Sequence, residues 1–303
     1  MSKTMAQLSV LELSKRYFEL CKPKVVALII FTAVVGMLMA SPGMIPLDIF
    51  VFATVGIGMA AASGAAINHW VDQRIDAVME RTMNRPLAHG DIDSRYALLF
   101  AVTIGVIAIS MLAAMVNTLT AILTFFALIG YAVIYTMFLK RTTSQNIVLG
   151  GAAGAAPPVL GWTAVTGEIN TEALLLFLII FIWTPPHFWA LAIKRRDEYA
   201  KAGIPMLPVT HGVAFTKLHI LLYTLMLFLV TIIPFVISMS GIIYLAGAIA
   251  LGIGFLYHVI KLYRKDCDIQ AMRTFGYSIF YLSALFAFLL ADHYMRQFIH
   301  FFL

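Results

Sequence analysis

Asn68-His69-Trp70-Val71-Asp72-Gln73-Arg74-Ile75-Asp76 follows roughly twenty mostly apolar residues, so an amide and two acids collect where a membrane helix reaches its end. A carboxylate at membrane depth costs about 2.5–3.5 kcal/mol on insertion scales, and such groups are functional candidates by default. Four-residue spacing advances each side chain by about 400° around a helix, so Asn68, Asp72 and Asp76 stack along one face, one turn apart. Two like-charged acids at that spacing repel each other. A bound divalent cation would turn the repulsion into a site. Arg81, Asn84, Arg85 and Pro86 follow, and Glu80 continues the stripe or stands as a solvated acid beside the arginines.

Composition places this stretch in a membrane. Of 303 residues, 61% are hydrophobic and 12% charged, against about 25% charged in soluble domains, and mean hydropathy is +0.91. The chain reads as a single polytopic domain over residues 1–303. Windows of about twenty apolar residues predict helices near 24–41, 47–67, 96–116, 118–138, 146–165, 172–193, 215–236, 241–262 and 274–295. The expected fold class is an all-α integral membrane protein with nine transmembrane helices around a central cavity. Two long polar loops, near 68–95 and 194–214, lie four helices apart and suggest two four-helix halves plus one helix.

Charge orients the array. Of the 21 Lys and Arg, all but Arg296 fall in the N-terminal segment or in loops after the even-numbered helices. By the positive-inside rule the N-terminus, with segment 1–21, is cytoplasmic and the C-terminus is outside. That segment shows neither a contiguous apolar core nor a small-residue cleavage site, so no signal peptide is expected. Its Glu12 and Glu19 favour a bacterial inner membrane over an organelle. The net charge of +6 reflects topology and anionic ligands; nucleic acid is not an expected partner, whereas the lipid bilayer is. Cys21 and Cys267 share the reducing side and read as thiols.

The chemistry suits a hard cation, since no Cys/His cluster has zinc spacing. Mg²⁺ takes one or two carboxylates and completes its shell with water and substrate phosphates. Arg74, Arg81 and Arg85 offer planar guanidinium forks for phosphate oxygens. Acids for metal with arginines for phosphate, at a membrane surface, point to a lipid diphosphate. A solvated basic loop is the competing reading of Arg74 and Arg81. The second loop, Lys194-Arg195-Arg196-Asp197-Glu198-Tyr199, could hold a second Mg²⁺ on Asp197 and Glu198 with Arg195 on the diphosphate; taken alone it is an ordinary basic flank.

The run Asn68–Asp76 with Met79-Glu80-Arg81-Thr82 and Asn84-Arg85-Pro86-Leu87 resembles the first aspartate motif of the intramembrane (UbiA-type) prenyltransferases. Within them it most resembles the protohaem IX farnesyltransferases. Further matches are Tyr135-Thr136, Leu139-Lys140-Arg141, Asn146-Ile147-Val148, Gly150 to Pro158, Pro186-His187-Phe188-Trp189-Ala190, and the segment from Arg195 to Pro208. The likeness is dense over about 68–212. Aromatic-acid prenyltransferases would be expected to carry Asp after the motif Asn and a second Asp-x-x-x-Asp box; here His69 and Lys201 stand instead.

The resemblance implies a Mg-dependent enzyme that ionises farnesyl diphosphate and joins the farnesyl group to a vinyl group of haem B, water then adding to give haem O. It implies Mg²⁺ on Asp72 and Asp76 with Asn68 assisting, and Arg81, Arg85, Lys140 and Arg195 on the diphosphate. Association with a haem A synthase or a terminal oxidase stays open. So do two alternatives: prenylation of an aromatic acid such as 4-hydroxybenzoate, and transport of an anionic lipid or porphyrin. His187, beside Pro185 and Pro186, could touch the porphyrin or hydrogen-bond a freed carbonyl. Tyr131 and Tyr135 could face an allylic cation or belong to an interfacial belt.

Overall fold

The computed structural model describes residues 9–302 except 42, 81, 266 and 267. Among the described residues nine helices are long and apolar enough to cross a membrane. A short amphipathic helix, α1 (Val10–Leu20), precedes them and is opened by a capping box between Ser9 and Glu12. The spans are α2 (Pro23–Ala40), α3 (Leu47–Asp76), α4 (Ser94–Met115), α5 (Thr118–Thr142), α6 (Asn146–Thr166), α7 (Thr171–Lys194), α8 (Gly212–Val236), α9 (Ile242–Arg264) and α10 (Asp268–Ile299). Each span packs on the next, and α10 returns to α2, so the nine close into a ring. The protein is a multi-pass membrane protein.

Helix α3 corrects the sequence reading at the point that matters most. The apolar window ends at Ile67, but the helix runs on to Asp76. Residues 68–76 are therefore helix, and the loop begins at Ala77. Asn68, Asp72, Gln73 and Asp76 each find a side-chain partner along this extension, so the acids stand on a rigid helical face. Glu80, by contrast, lies in a turn beyond the helix end and is exposed, so the stripe stops at Asp76.

Small residues set the close approaches. A Cβ on Gly161 would lie 1.9 Å from the Ala33 carbonyl oxygen, and one on Gly36 2.2 Å from that of Pro158, so α2 and α6 meet backbone to backbone. Pro157 and Pro158 divide α6 at Ala156. Pro185 and Pro186 leave α7 helical throughout. In α5 the backbone widens into a π-helix over Gly130–Leu139, a form often found at functional sites.

Candidate active site

Asn68, Asp72 and Asp76 are buried along one face of α3, as the four-residue spacing requires. Buried charge is tolerated only when paired, and here each of the three polar groups has its own cation. Lys140 Nζ, at the end of α5, lies 2.5 Å from Asp72 Oδ2. Arg85 Nη1 lies 2.8 and 2.7 Å from the two oxygens of Asp76. Lys22 Nζ donates to Asn68 Oδ1. Asn68 Nδ2 in turn donates to Asp72 Oδ2 at 2.9 Å and to Thr136 Oγ1 at 3.3 Å. Asn68 and Asp72 are thus one hydrogen-bonded unit, with the Asp76–Arg85 pair one turn further on.

Lys22 has no signal in the sequence beyond a tally of basic residues. It joins α1 to α2 in the left-handed region (φ 49°, ψ 61°), a conformation that costs a non-glycine residue about 1 kcal/mol or more. Pro23 fixes the first turn of α2 immediately afterwards. The bend aims the Lys22 side chain back at α3. Enclosure of its ammonium, reinforced by the nearby Arg85 and Lys140 charges, lowers the Lys22 pKa to about 7.

The loop after α3 is tied down on both sides of Arg85. Thr82 Oγ1 donates to the Asp76 carbonyl at 3.0 Å. Asp91 forms an ion pair with Arg16, Nε lying 3.0 Å from its Oδ2, and faces His89 Nδ1 at 2.8 Å. Between them Pro86–His89 forms one helical turn that ends at Gly90, where φ is +87°. Arg81 lies outside the described residues. Arg74 is exposed.

The π-helix of α5 brings Tyr131 and Tyr135 into a stack, with centroids 5.7 Å apart and planes 18° from parallel. Thr136, on the same widened turn, donates to the Tyr131 carbonyl at 2.8 Å. A Cβ at Gly150 would stand 2.1 Å from the Tyr135 ring, so the glycine of α6 is what admits that ring. Arg141 reaches within 4.0 Å of Asp72 Oδ1.

The second loop contributes differently. Arg195 Nη1 donates to Glu198 Oε1 at 2.6 Å, while Arg195 Nε and Glu198 Oε2 are buried without hydrogen-bond partners. Asp197 is 84% exposed and 3.8 Å from Arg196, so of the acids expected to hold a second cation only Glu198 turns inward. Helical geometry explains it, because adjacent residues point about 100° apart. Tyr199, Ile204, Met206 and Leu207 join the same buried apolar cluster as Met79 and Ile147, so both polar loops rest on one core. α3 and α7 both end even-numbered crossings, so the two loops share one side of the ring.

His187 stands apart from these polar groups. Its ring is stacked between Trp183 (4.3 Å) and Phe275 (4.5 Å), and Nδ1 lies 2.6 Å from Ser278 Oγ of α10. The partner is a neighbouring helix rather than a carbonyl freed by the prolines. His69 is buried beside Asn68, with both ring nitrogens unpartnered.

A magnesium ion fits the α3 line on the chemistry of its donors. Carboxylate and amide oxygens are hard ligands, and Asp72 Oδ1 is buried with no hydrogen-bond partner. Among the described residues no three His, Cys, Asp or Glu side chains converge on one point. The protein would therefore supply a partial shell, leaving positions for water and phosphate oxygens.

The model of the UbiA prenyltransferase family matches residues 29–289. A protein of Thioalkalivibrio sulfidiphilus named protoheme IX farnesyltransferase is 66% identical over 93% of this chain and 94% of its own length. One of Nitrosococcus oceani with the same name is 59% identical, covering 94% and 95%. Among solved structures, a digeranylgeranylglyceryl phosphate synthase superposes with a TM-score of 0.78 at 18% identity, over 92% of this chain and 98% of that one. A UbiA homologue from Archaeoglobus fulgidus bound to GPP and Mg²⁺ does so at 0.63 and 17% identity, over 90% and 99%. Nine spans closed into a ring, a paired acid line at the end of the second, and a match across most of the sequence agree: the chain belongs to the UbiA prenyltransferase family.

Proposed function

We propose that this protein transfers the farnesyl group of farnesyl diphosphate to a vinyl group of haem B, with addition of water, giving haem O and diphosphate. The observation that carries the site assignment is the one-to-one pairing of Lys22, Arg85 and Lys140 with Asn68, Asp76 and Asp72. Asp72 and Asp76, with help from Asn68, would hold magnesium, which would supply charge stabilisation to the departing diphosphate. On loading, the three cations exchange their carboxylate and amide partners for phosphate oxygens, which charge-assisted hydrogen bonds favour.

Arg85, Lys140 and Lys22 then hold the diphosphate while the bond between C1 and its oxygen breaks. Arg195 leaves Glu198 to join them, and Arg81 belongs to the same set. Stabilisation of charge that develops in the transition state is worth several kcal/mol in a water-poor site. The terminal vinyl carbon of haem bonds to C1; water adds to the adjacent carbon and loses a proton. No protein nucleophile is consumed. Tyr131 and Tyr135 present stacked ring faces beside the acid line, suited to an allylic cation. The unpartnered Glu198 Oε2 is the acceptor for a second cation or an ordered water. His187, with Nδ1 held by Ser278, keeps Nε2 for the porphyrin.

The enzyme lies in a bacterial inner membrane as one domain, with its polar site and N-terminus on the cytoplasmic side and its C-terminus outside. The distribution of basic residues supports that orientation. A decisive experiment expresses the chain in a host without its own haem O pathway, beside Asp72→Ala, and weighs the extracted haems by mass spectrometry. A farnesylated, hydroxylated haem from the native chain alone is the expected outcome. Unmodified haem B from well-inserted native protein would reject the assignment.

A further inference from the structure

Helix α1 carries an apolar face wider than the protein covers. At about 100° per residue, Leu20, Leu13 and Tyr17 form one side of it, and Val10, Phe18 and Leu11 continue round with Ser14 among them. Lys15, Glu19, Glu12 and Arg16 occupy the remaining arc. The first side is packed. Leu20 is fully buried with Leu87 and Ala97, Leu13 and Tyr17 lean on that cluster, and Tyr17 meets Phe100 edge-on at 5.0 Å. The continuing side is bare: Val10, Leu11 and Phe18 are 87%, 65% and 64% exposed.

Lipid covers that side, on three grounds. First, α1 ends two residues before the membrane span α2, so it lies at the bilayer boundary. Second, Tyr17 packs on Phe100 of α4, whose chain neighbours Tyr96 and Leu99 are themselves exposed apolar side chains. Third, exposed Lys15 borders the face on α1 and exposed Lys24 follows in the first turn of α2, both suited to anionic headgroups. A wide apolar face opposite a charged arc is the pattern of helices that lie in the interface plane.

We propose that α1 lies in the plane of the cytoplasmic membrane interface, one side on the protein and Val10, Leu11 and Phe18 in the headgroup–acyl boundary. This anchoring fixes the left-handed bend at Lys22 and so holds that ammonium over Asn68. The location of α1 is independent of the reaction; only its consequence for Lys22 rests on the proposed site.

The test uses the full chain in nanodiscs of phosphatidylethanolamine and phosphatidylglycerol, with Cys21→Ser and Cys267→Ser. A nitroxide is attached at Phe18→Cys or, on the polar arc, at Glu12→Cys, and its accessibility to oxygen and to a water-soluble nickel chelate is compared. The label at 18 is expected to favour oxygen and the label at 12 the chelate. Equal chelate access at both positions would overturn the proposal, as would spin–spin coupling between copies through position 18. For the coupling to Lys22, Phe18→Glu is expected to weaken binding of unreactive farnesyl thiodiphosphate several-fold, and Phe18→Leu to leave it intact. Unchanged binding in Phe18→Glu would remove the link to the site while the label data still decide the location.

Discussion

Asp72 and Asp292 are equally buried, each 1% exposed, at opposite ends of the helical ring, yet they are held in opposite ways. Asp292 accepts the backbone N–H groups of Gly241 (2.5 Å) and Tyr244 (3.2 Å), capping the start of α9 from α10. Helix N-termini favour a negative charge there, and backbone donors cannot swing away. Asp72 is held by side chains, chiefly Lys140, and its Oδ1 has no hydrogen-bond partner. A carboxylate satisfied by backbone is part of the scaffold. One satisfied by long, exchangeable cations can take a ligand.

That contrast can be broken by substitution. The largest effect is expected at Asp72→Asn, which keeps the shape and the Asn68 contact but removes the charge. Turnover should fall about 100- to 1,000-fold, the scale of losing a key electrostatic group, with little change in melting temperature; product assays and thermal unfolding in detergent read the two. Arg85→Lys keeps the charge on Asp76 but loses the planar fork. An increase of about 10-fold in KM for farnesyl diphosphate is expected, and an unchanged KM would limit Arg85 to counter-charge.

Asp292→Asn should show the reverse profile. Loss of the charged cap is expected to cost about 1–3 kcal/mol of stability, read as a lower melting temperature, while activity per folded molecule is retained. Gly150→Ala sharpens the contrast from the aromatic side. Its Cβ must displace the Tyr135 ring, so overpacking of about 1–3 kcal/mol is expected, together with slower turnover. The smallest effect concerns Lys22. Its folded pKa, near 7, lies below the unfolded value of about 10.4. Between these values the unfolded chain binds more protons, so stability should rise with pH across that window. Lys22→Met should flatten the rise, measured as melting temperature against pH.

Much of this was legible in residues alone. Hydropathy located all nine spans to within a few residues at most ends, because lipid demands about twenty apolar residues whatever the packing. The Asn68, Asp72 and Asp76 line followed from helical spacing. The end of α3 did not, because the apolar window stops at Ile67 while Arg85 of the loop that follows and Lys140 of the distant α5 pair its last acids up to Asp76. Lys22 was invisible for the same reason: it lies 46 residues from Asn68, and only the left-handed bend brings the two together. The inward turn of Glu198 and outward turn of Asp197 depend on where a six-residue helix begins, which no spacing rule fixes. The π-helix that stacks Tyr131 on Tyr135 leaves no mark in hydropathy either.

The most direct test pairs the two carboxylates in one assay. Native protein, Asp72→Asn and Asp292→Asn are placed in nanodiscs with farnesyl diphosphate, haem B and Mg²⁺, and farnesylated haem and released diphosphate are measured per folded molecule. Asp72→Asn should lose about 100-fold or more, and Asp292→Asn should stay within about threefold of native. Product formation surviving in Asp72→Asn, or falling equally in both, would contradict the division between an exchangeable and a structural buried carboxylate.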